Sequence, residues 1–328
     1  MSTEERAVLG DELQQRGDPQ GELIALQLAL EALPADAPPA RRNAIARRIA
    51  AHLDEHHDAL YGSLAPHVTR LSLPDLRDPA LEVRQWRGGF AETVWLQTTA
   101  AGPTLVDVLG ALRELPIARD VRRLEVGQGD HPGFVAQLLR QPIPALRELV
   151  LGDRSRWMHD LQHTDLGHTR ALEPLVEGLE IVRILQPIVY TPLASSTVRV
   201  LAVSHRGHDL FGPPTSAFEG RLPALEELVA NGFLADNNLF DRHPRLRHLS
   251  LYGAYEDGWL EHLIRSRHLE RMQVLQLGYQ LTDADLDTLI TLAQRLAHLE
   301  LLDLRANAFT VDAIAAAQAR LPPCVRLR

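Results

Sequence analysis

The sequence predicts an α/β repeat protein in which short parallel strands alternate with helical or irregular returns behind an α-helical N-terminal segment. Three observations predict it. Leucine occurs 58 times in 328 residues while aromatics make up 5%, so the core is aliphatic. A six-residue phrase, apolar-x-x-Leu-x-apolar, recurs through the C-terminal two thirds and places alternate residues on one face of a short strand. The first 65 residues carry helical periodicity instead.

Taken in order, Glu4 to Gln15 predicts a helix with Ala7, Val8, Leu9 and Leu13 as its apolar positions, stopped by Gly17-Asp18-Pro19. Gly21 to Leu33 repeats the pattern through Leu23, Ile24, Leu26, Leu28 and Leu30, and Pro34 to Pro39 reads as a linker. A third helix is expected from Pro39 to Tyr61, with Ile45, Ile49, Leu53 and Leu60 near helical spacing and Arg41, Arg42, Arg47 and Arg48 largely on the other side. Three such helices can form a small cap on the strand-bearing remainder of the chain.

The strand phrase then appears as Val121 to Val126, Leu146 to Leu151, Val198 to Val203, Leu225 to Ala230, Leu246 to Leu251, Met272 to Leu277 and Leu299 to Leu304. Phe90 to Leu96 is a degenerate early copy and Cys324 to Leu327 a partial last one. Successive sixth positions, Leu151, Val203, Ala230, Leu251, Leu277 and Leu304, stand 52, 27, 21, 26 and 27 residues apart, the first gap spanning two periods. That period predicts stacked units, none of which buries its apolar face alone. In the last full unit, Thr282 or Asp283 opens a helix with Leu286, Leu289, Ile290 and Ala293 inward, and Phe309-Thr310-Val311-Asp312 opens the next. The expected fold is therefore a leucine-rich-repeat solenoid, strands on the concave side and helices outside, with an α-helical N-terminal cap. Its division is 1–65 for the helical region and 66–328 for the irregular solenoid, with an insertion at about 152–197.

This strand-loop-helix grammar resembles the ribonuclease-inhibitor-like leucine-rich repeats. In that family an Asn three residues after the last strand Leu bonds the backbone of neighbouring turns. Asn307, after Leu304, holds that place here, whereas Gly129, Arg154, Arg206, Phe233, Ala254 and Gln280 hold it in other copies, so an irregular solenoid is expected. Arg16-Gly17-Asp18-Pro19-Gln20-Gly21-Glu22-Leu23-Ile24-Ala25-Leu26-Gln27, with Trp86-Arg87-Gly88-Gly89-Phe90 downstream, resembles the repeat-companion module that precedes such repeats in myxobacterial and related bacterial proteins. The resemblance implies an architecture and a recognition role without catalysis.

Charge and composition narrow the chemistry. All 34 basic residues are Arg, which closes the standard routes that need a lysine amine: P-loop nucleotide hydrolysis, kinase phosphoryl transfer and pyridoxal Schiff bases. A net charge of −9 argues against nucleic acid as partner. The single cysteine, Cys324, forbids an internal disulfide and any Cys-based cluster, and reads as a small core or capping residue in a reducing, cytoplasmic setting. Neither an export signal nor a membrane span is expected.

Two constellations could bind metal. His52-Leu53-Asp54-Glu55-His56 spells the H-x-x-E-H order of inverted zinc peptidases on a helix, although no third ligand is evident. The 152–197 insertion carries Trp157, His159, Asp160, His163, Asp165 and His168, and a helical turn would bring His159 and His163 together. A metal-dependent enzyme using His159, His163 and His168 is thus the alternative to a binding module, and a structural subunit of a larger assembly is a second. His205, His208 and Asp209 make a smaller cluster after a strand end.

The leading expectation uses the inner strand surface. With the fourth and sixth positions of each phrase in the core, the others project from it: Arg123, Glu125, Glu148, Glu227, His248, Tyr252, Gln276, Asp303 and Arg305. Val150, Val229, Asn231, Ser250 and Leu301 accompany them. Such a mixture suits a protein or peptide partner, with Tyr252 and Arg305 as anchors. No cofactor and no catalytic residue is expected.

Overall fold

The computed structural model describes residues 1–69, 79–98, 102–127, 129, 131–152, 172–188, 193–205, 220–235, 238–255, 258–278 and 281–327. These fall in two compact units, the first reaching residue 152 and the second starting at 172. Both are α/β and mostly parallel. Among the described residues no helix is long and apolar enough to cross a membrane.

The first unit opens with helices α1 (Thr3–Gln15), α2 (Pro19–Glu31), α3 (Pro39–Glu55) and α4 (His57–Tyr61). Ser2 and Glu5 form a reciprocal cap on α1, and the Asp18 side chain accepts from the Gln20 N–H to start α2, with Pro19 at its first position. The expected single helix from Pro39 to Tyr61 is instead broken at His56, whose backbone (φ −105°, ψ 20°) leaves helical geometry between α3 and α4. Strands β1 (Leu81–Arg87) and β2 (Phe90–Leu96) form an antiparallel hairpin turned by Gly88 and Gly89, both at positive φ. From β2 the sheet continues in parallel through β3 (Arg123–Val126) and β4 (Glu148–Leu151), with α5 (Leu105–Glu114) and α6 (His131–Arg140) as the crossovers.

The hairpin turn is where the leading helices dock. A Cβ on Gly89 would lie 2.2 Å from Ile24 Cγ1 and 2.7 Å from Ile24 Cα, so the turn approaches the α2 backbone as only glycine can. The Gly88 N–H donates to the Glu31 carboxylate at 2.8 Å. Beside it, buried Arg6 reaches Asp120 at 3.1 Å. Helices α1 and α2 meet with equal closeness, since a Cβ on Gly21 would stand 2.4 Å from the Gln14 nitrogen. The Gly-Asp-Pro-Gln-Gly stretch and the Trp-Arg-Gly-Gly-Phe stretch, some seventy residues apart in sequence, are thus two halves of one packing joint.

Among the described residues the second unit holds seven parallel strands in sequence order: β5 (Ile181–Ile188), β6 (Val200–His205), β7 (Glu227–Ala235), β8 (His248–Tyr255), β9 (Val274–Gly278), β10 (Leu301–Asp303) and β11 (Val325–Arg326). The helices of this unit are α7 (Glu173–Val176), α8 (Leu239–Arg242), α9 (Trp259–Arg265), α10 (Asp283–Thr291) and α11 (Val311–Gln318). Register stacks the fourth phrase positions side by side: Val182, Leu201, Leu228, Leu249, Leu275 and Leu302 form one line, and each is fully buried. The sixth positions, Ile184, Val203, Ala230, Leu251, Leu277 and Leu304, form a second buried line. Each leucine in these lines contributes roughly 1.5–3 kcal/mol of burial, and the aliphatic spine runs the length of the unit.

Immediately before strands β6 to β10 a bulge recurs, in which one carbonyl accepts from two successive N–H groups of the next strand, as Glu180 O does from Arg199 and Val200, Arg199 O from Glu226 and Glu227, and Glu226 O from Arg247 and His248. The bulge residues form a row, Glu180, Arg199, Glu226, Arg247, Gln273 and Glu300, whose charges alternate over its first four members. Arg199 and Glu226 are bonded at 2.7 Å. At the far end, Asn307 accepts from the Leu281 N–H at 3.1 Å and donates to the carbonyls of Leu277 at 2.7 Å and Leu304 at 3.0 Å. Thr282 and Asp285 cap α10 reciprocally, and the Thr310 side chain caps α11.

Candidate functional site

The alternate residues of the strands that carry the buried lines form a second face in each unit, largely accessible but with Thr93, Val150 and Ala202 buried in it. In the first unit Thr93, Arg123 and Glu148 share one row, and Trp95, Glu125 and Val150 the next. The Arg123 guanidinium bridges two carboxylates, reaching Glu125 at 2.7 Å and Glu148 at 3.1 Å. Arg84 on β1 also holds Glu125 and lies over the Trp95 ring at 5.1 Å. The two acids are nearly buried, at 12% and 13% exposure, whereas Arg123 and Arg84 are about 40% exposed. This face therefore shows guanidinium and indole surface outward, with its carboxylates tied beneath.

In the second unit one row runs Ile181, Val200, Glu227, His248, Val274 and Leu301, and the next runs Arg183, Ala202, Val229, Ser250, Gln276 and Asp303. Four half-buried aliphatic side chains in the first row flank Glu227 and His248. His248 Nε2 meets the Gln273 side-chain oxygen at 3.2 Å. The Gln276 oxygen accepts from the Ser250 hydroxyl at 2.7 Å and from the Tyr252 hydroxyl at 3.4 Å. Gly278, opposite Tyr252 in register, makes room for the phenol: a Cβ there would stand 2.7 Å from Tyr252 Cδ1. Arg305 grips Asp303 through two nitrogens, at 3.0 Å and 2.6 Å, and these hydrogen bonds hold the Asp303 carboxyl below the usual carboxylate range against the opposing effect of burial. Arg183 stands 3.9 Å from Glu227.

The structure thus brings Glu227, His248, Tyr252, Gln276 and Asp303 onto strands of one unit, with Arg305 in the turn that follows β10, and Arg123, Glu125 and Glu148 onto strands of the other. Sequence reasoning omitted the aliphatic members Ile181, Val200 and Val274; their signal was an apolar residue at the third place of the phrase, where a solvated strand would carry a polar one.

A cleft of about 520 Å³ opens at the bulge row of the second unit, lined by Glu226, Arg245, Arg247, Glu270, Arg271 and Glu300 among others. Its three arginines and three glutamates balance. Arg199 holds the Glu226 carboxyl below the ordinary range chiefly through their hydrogen bond, helped by the nearby charges of Arg247 and Arg245.

The expected metal sites fare differently. The rings of His52 and His56 lie 4.5 Å apart, but His52 Nε2 is bonded to the Pro19 carbonyl at 2.7 Å, where it ties α3 to the start of α2. Among the described residues no group of three His, Cys, Asp or Glu side chains stands ready for a metal ion. Trp157, His159, Asp160, His163, Asp165 and His168 lie outside the described residues, as do His208 and Asp209. Cys324 is half-buried with Sγ 3.6 Å from the Leu296 carbonyl, and burial pushes its thiol pKa up.

No family model and no curated protein matches the sequence. Among solved structures, a structural-genomics target from Bacteroides fragilis is similar in fold, with a TM-score of 0.50 at 18% identity over 70% of this chain and 73% of that one.

Proposed function

We propose that this chain is a leucine-rich-repeat-like interaction module without catalytic activity, binding a protein or peptide partner on the accessible face of the second unit's strands. The observation that carries the reading is the pairing of rows on that face. Two aliphatic pairs (Ile181 with Val200, Val274 with Leu301) flank Glu227 and His248 in one row, beside a row whose Ser250 and Gln276 are ordered by the Ser250–Gln276–Tyr252 hydrogen bonds. Preorganised polar groups beside desolvatable aliphatic surface are the make-up of a protein interface core and rim, and they lower the ordering cost of binding. Tyr252, braced on Gly278, supplies a rigid amphipathic anchor. The repeat reading draws support from Asn307, which bonds both its own turn and the preceding one, and from the sequential parallel strand order. A helical N-terminal cap and a concave strand face belong to the same proposal.

The test is capture from the native cell with quantitative mass spectrometry. Wild-type chain should enrich one defined partner. A Tyr252→Ala, Leu301→Asp double variant should lose it, while Val311→Asp, on the exposed side of α11, should keep it. Equal capture by the two variants, both folded by circular dichroism, would remove this face from consideration.

A further inference from the structure

Helix α3 concentrates positive charge in a chain whose net charge is −9. From Pro39 to Leu53 it holds four arginines and no acid, and Arg41, Arg42, Arg47 and Arg48 are all exposed. Helical spacing puts Arg41, Ala44, Arg47 and Arg48 on one side, away from the buried Ile49 and Leu53. The Arg41 guanidinium has no partner among the described residues. Arg47 reaches back one turn to the Asn43 carbonyl at 3.4 Å, and Arg48 makes an exposed pair with Glu22 at 3.2 Å.

Helix α1 carries the opposite sign in matching order. Glu4, Val8 and Asp11 lie along one side with Glu12 beside them, away from the buried Arg6 and Gly10. Among the described residues these three carboxylates are unpaired, whereas Glu5 is occupied in the cap with Ser2. Val8, at the middle of this acidic face, is 60% exposed. Helix α2 takes both helices as neighbours, α1 where Gly21 meets Gln14 and α3 through the Glu22–Arg48 pair. Within one chain the acids of α1 and the arginines of α3 do not meet.

The spacings agree. Glu4 precedes Asp11 and Glu12 by about 10–12 Å along its helix, and Arg41 precedes Arg47 and Arg48 by about 9–11 Å along its own. Between the charges stands Val8 in one helix and Ala44 in the other, a large side chain against a small one. Arg16 just past α1 and Glu55 at the end of α3 are exposed and again opposite in sign, so all the charges match when the two helices run the same way.

We propose that the arginine face of α3 is the docking surface for α1 of a second copy of this chain, with Glu4 on Arg41, Asp11 and Glu12 on Arg47 and Arg48, and Val8 over Ala44. Each carboxylate gains a guanidinium that its own chain does not offer it. A contact one helix wide is small, so the association is weak and sensitive to salt. Its two surfaces differ, and it is therefore made twice in a two-fold dimer or repeated head to tail.

Sedimentation velocity of the full chain over a range of concentrations, in about 20 mM and about 500 mM sodium chloride, tests the pairing. Self-association should appear at the lower salt with a Kd of about 100 µM and weaken about tenfold or more at the higher. Glu4→Arg with Asp11→Arg and Glu12→Arg reverses α1, and Arg41→Glu with Arg47→Glu reverses α3. Each variant alone should be monomeric with an unchanged circular dichroism spectrum, and an equimolar mixture of the two should associate again, because each offers the other an opposite surface. Should a reversal disturb its helix, the carboxamide set Glu4→Gln, Asp11→Asn and Glu12→Gln keeps the shape and should weaken association about tenfold. A wild-type chain that stays monomeric at low salt, a folded α1 variant that self-associates undiminished, or a folded mixture that does not associate would each overturn the proposal. None of these results depends on whether the strand face of the second unit captures a partner.

Discussion

Replacing Gly89 by alanine isolates what the packing joint of the first unit contributes. Two costs combine. A non-glycine residue at φ +79° loses roughly 1–2 kcal/mol. The new Cβ would also lie 2.2 Å from Ile24 Cγ1, 2.7 Å from Ile24 Cα and 2.9 Å from the Ile24 nitrogen, and forcing a methyl into such space costs about 1–3 kcal/mol. Because two of the three atoms are backbone, trimming the side chain by Ile24→Ala should not restore the joint. Gly17→Ala is the matched control: its φ is +73° and nothing lies within 4 Å of its Cβ, so it carries the conformational cost alone. Hydrogen exchange read by mass spectrometry over α1, α2 and the β1–β2 hairpin is the appropriate assay, since it resolves opening of this region without assuming that both units unfold together. Gly89→Ala should speed exchange there by about a hundredfold, against about tenfold for Gly17→Ala. If the two variants exchange alike, the close approach of turn and helix contributes nothing and the joint as described is wrong.

Asn307→Ala removes three hydrogen bonds and should destabilise the second unit by about 2–3 kcal/mol in urea titration, with Asn307→Asp only partly restoring it because the two donated bonds are lost. Arg6→Ala leaves the partly buried Asp120 carboxylate unpaired and should cost about 2–4 kcal/mol in the same measurement, whereas changing the exposed Arg48, which pairs Glu22 at 3.2 Å, should have little effect. Asp303, Glu226 and Asp107 all have carboxyl pKa values depressed by hydrogen bonds, from Arg305, Arg199 and Thr104 respectively. A depressed folded-state pKa gives stability that is complete above the unfolded value of about 4 and lost as pH falls through the folded one. Thermal midpoints should therefore decline on acidification below about pH 4, and Asp303→Asn should flatten that decline.

Seven of the strands that sequence reasoning located, β3, β4 and β6 to β10, carry leucine at the fourth phrase position; β2 and β11, located only as a degenerate and a partial copy, carry Val94 and Val325 in that register. Strand β5 escaped because Val182 occupies that place in Leu179-Glu180-Ile181-Val182-Arg183-Ile184, although the alternation is the same and Val182 packs in the same buried line as Leu201. It falls within what reads as an insertion and accounts for the double gap between Leu151 and Val203. Strand β1 escaped because its outward positions, Glu82, Arg84 and Gln85 among them, hide its apolar alternation, and the shifted register around Gln85 disturbs it further. The Gly88-Gly89 pair was nonetheless a hairpin signal. On the accessible face, charged and aromatic positions were legible by alternation alone, but which acids are tied beneath which arginines depends on strand register, which no local pattern encodes.

The bulge row of the second unit has a consequence for how the chain sorts its own strands. Strands β5 to β10 share nearly interchangeable aliphatic lines, so the core discriminates poorly between a correct neighbour and one a repeat away. Exchanging β6 with β7 would set Glu226 beside Glu180 and Arg199 beside Arg247, placing like charges together at the edge where pairing begins. The alternation from Glu180 to Arg247 thus works as an address written outside the core, penalising skipped or transposed strands while the protein assembles.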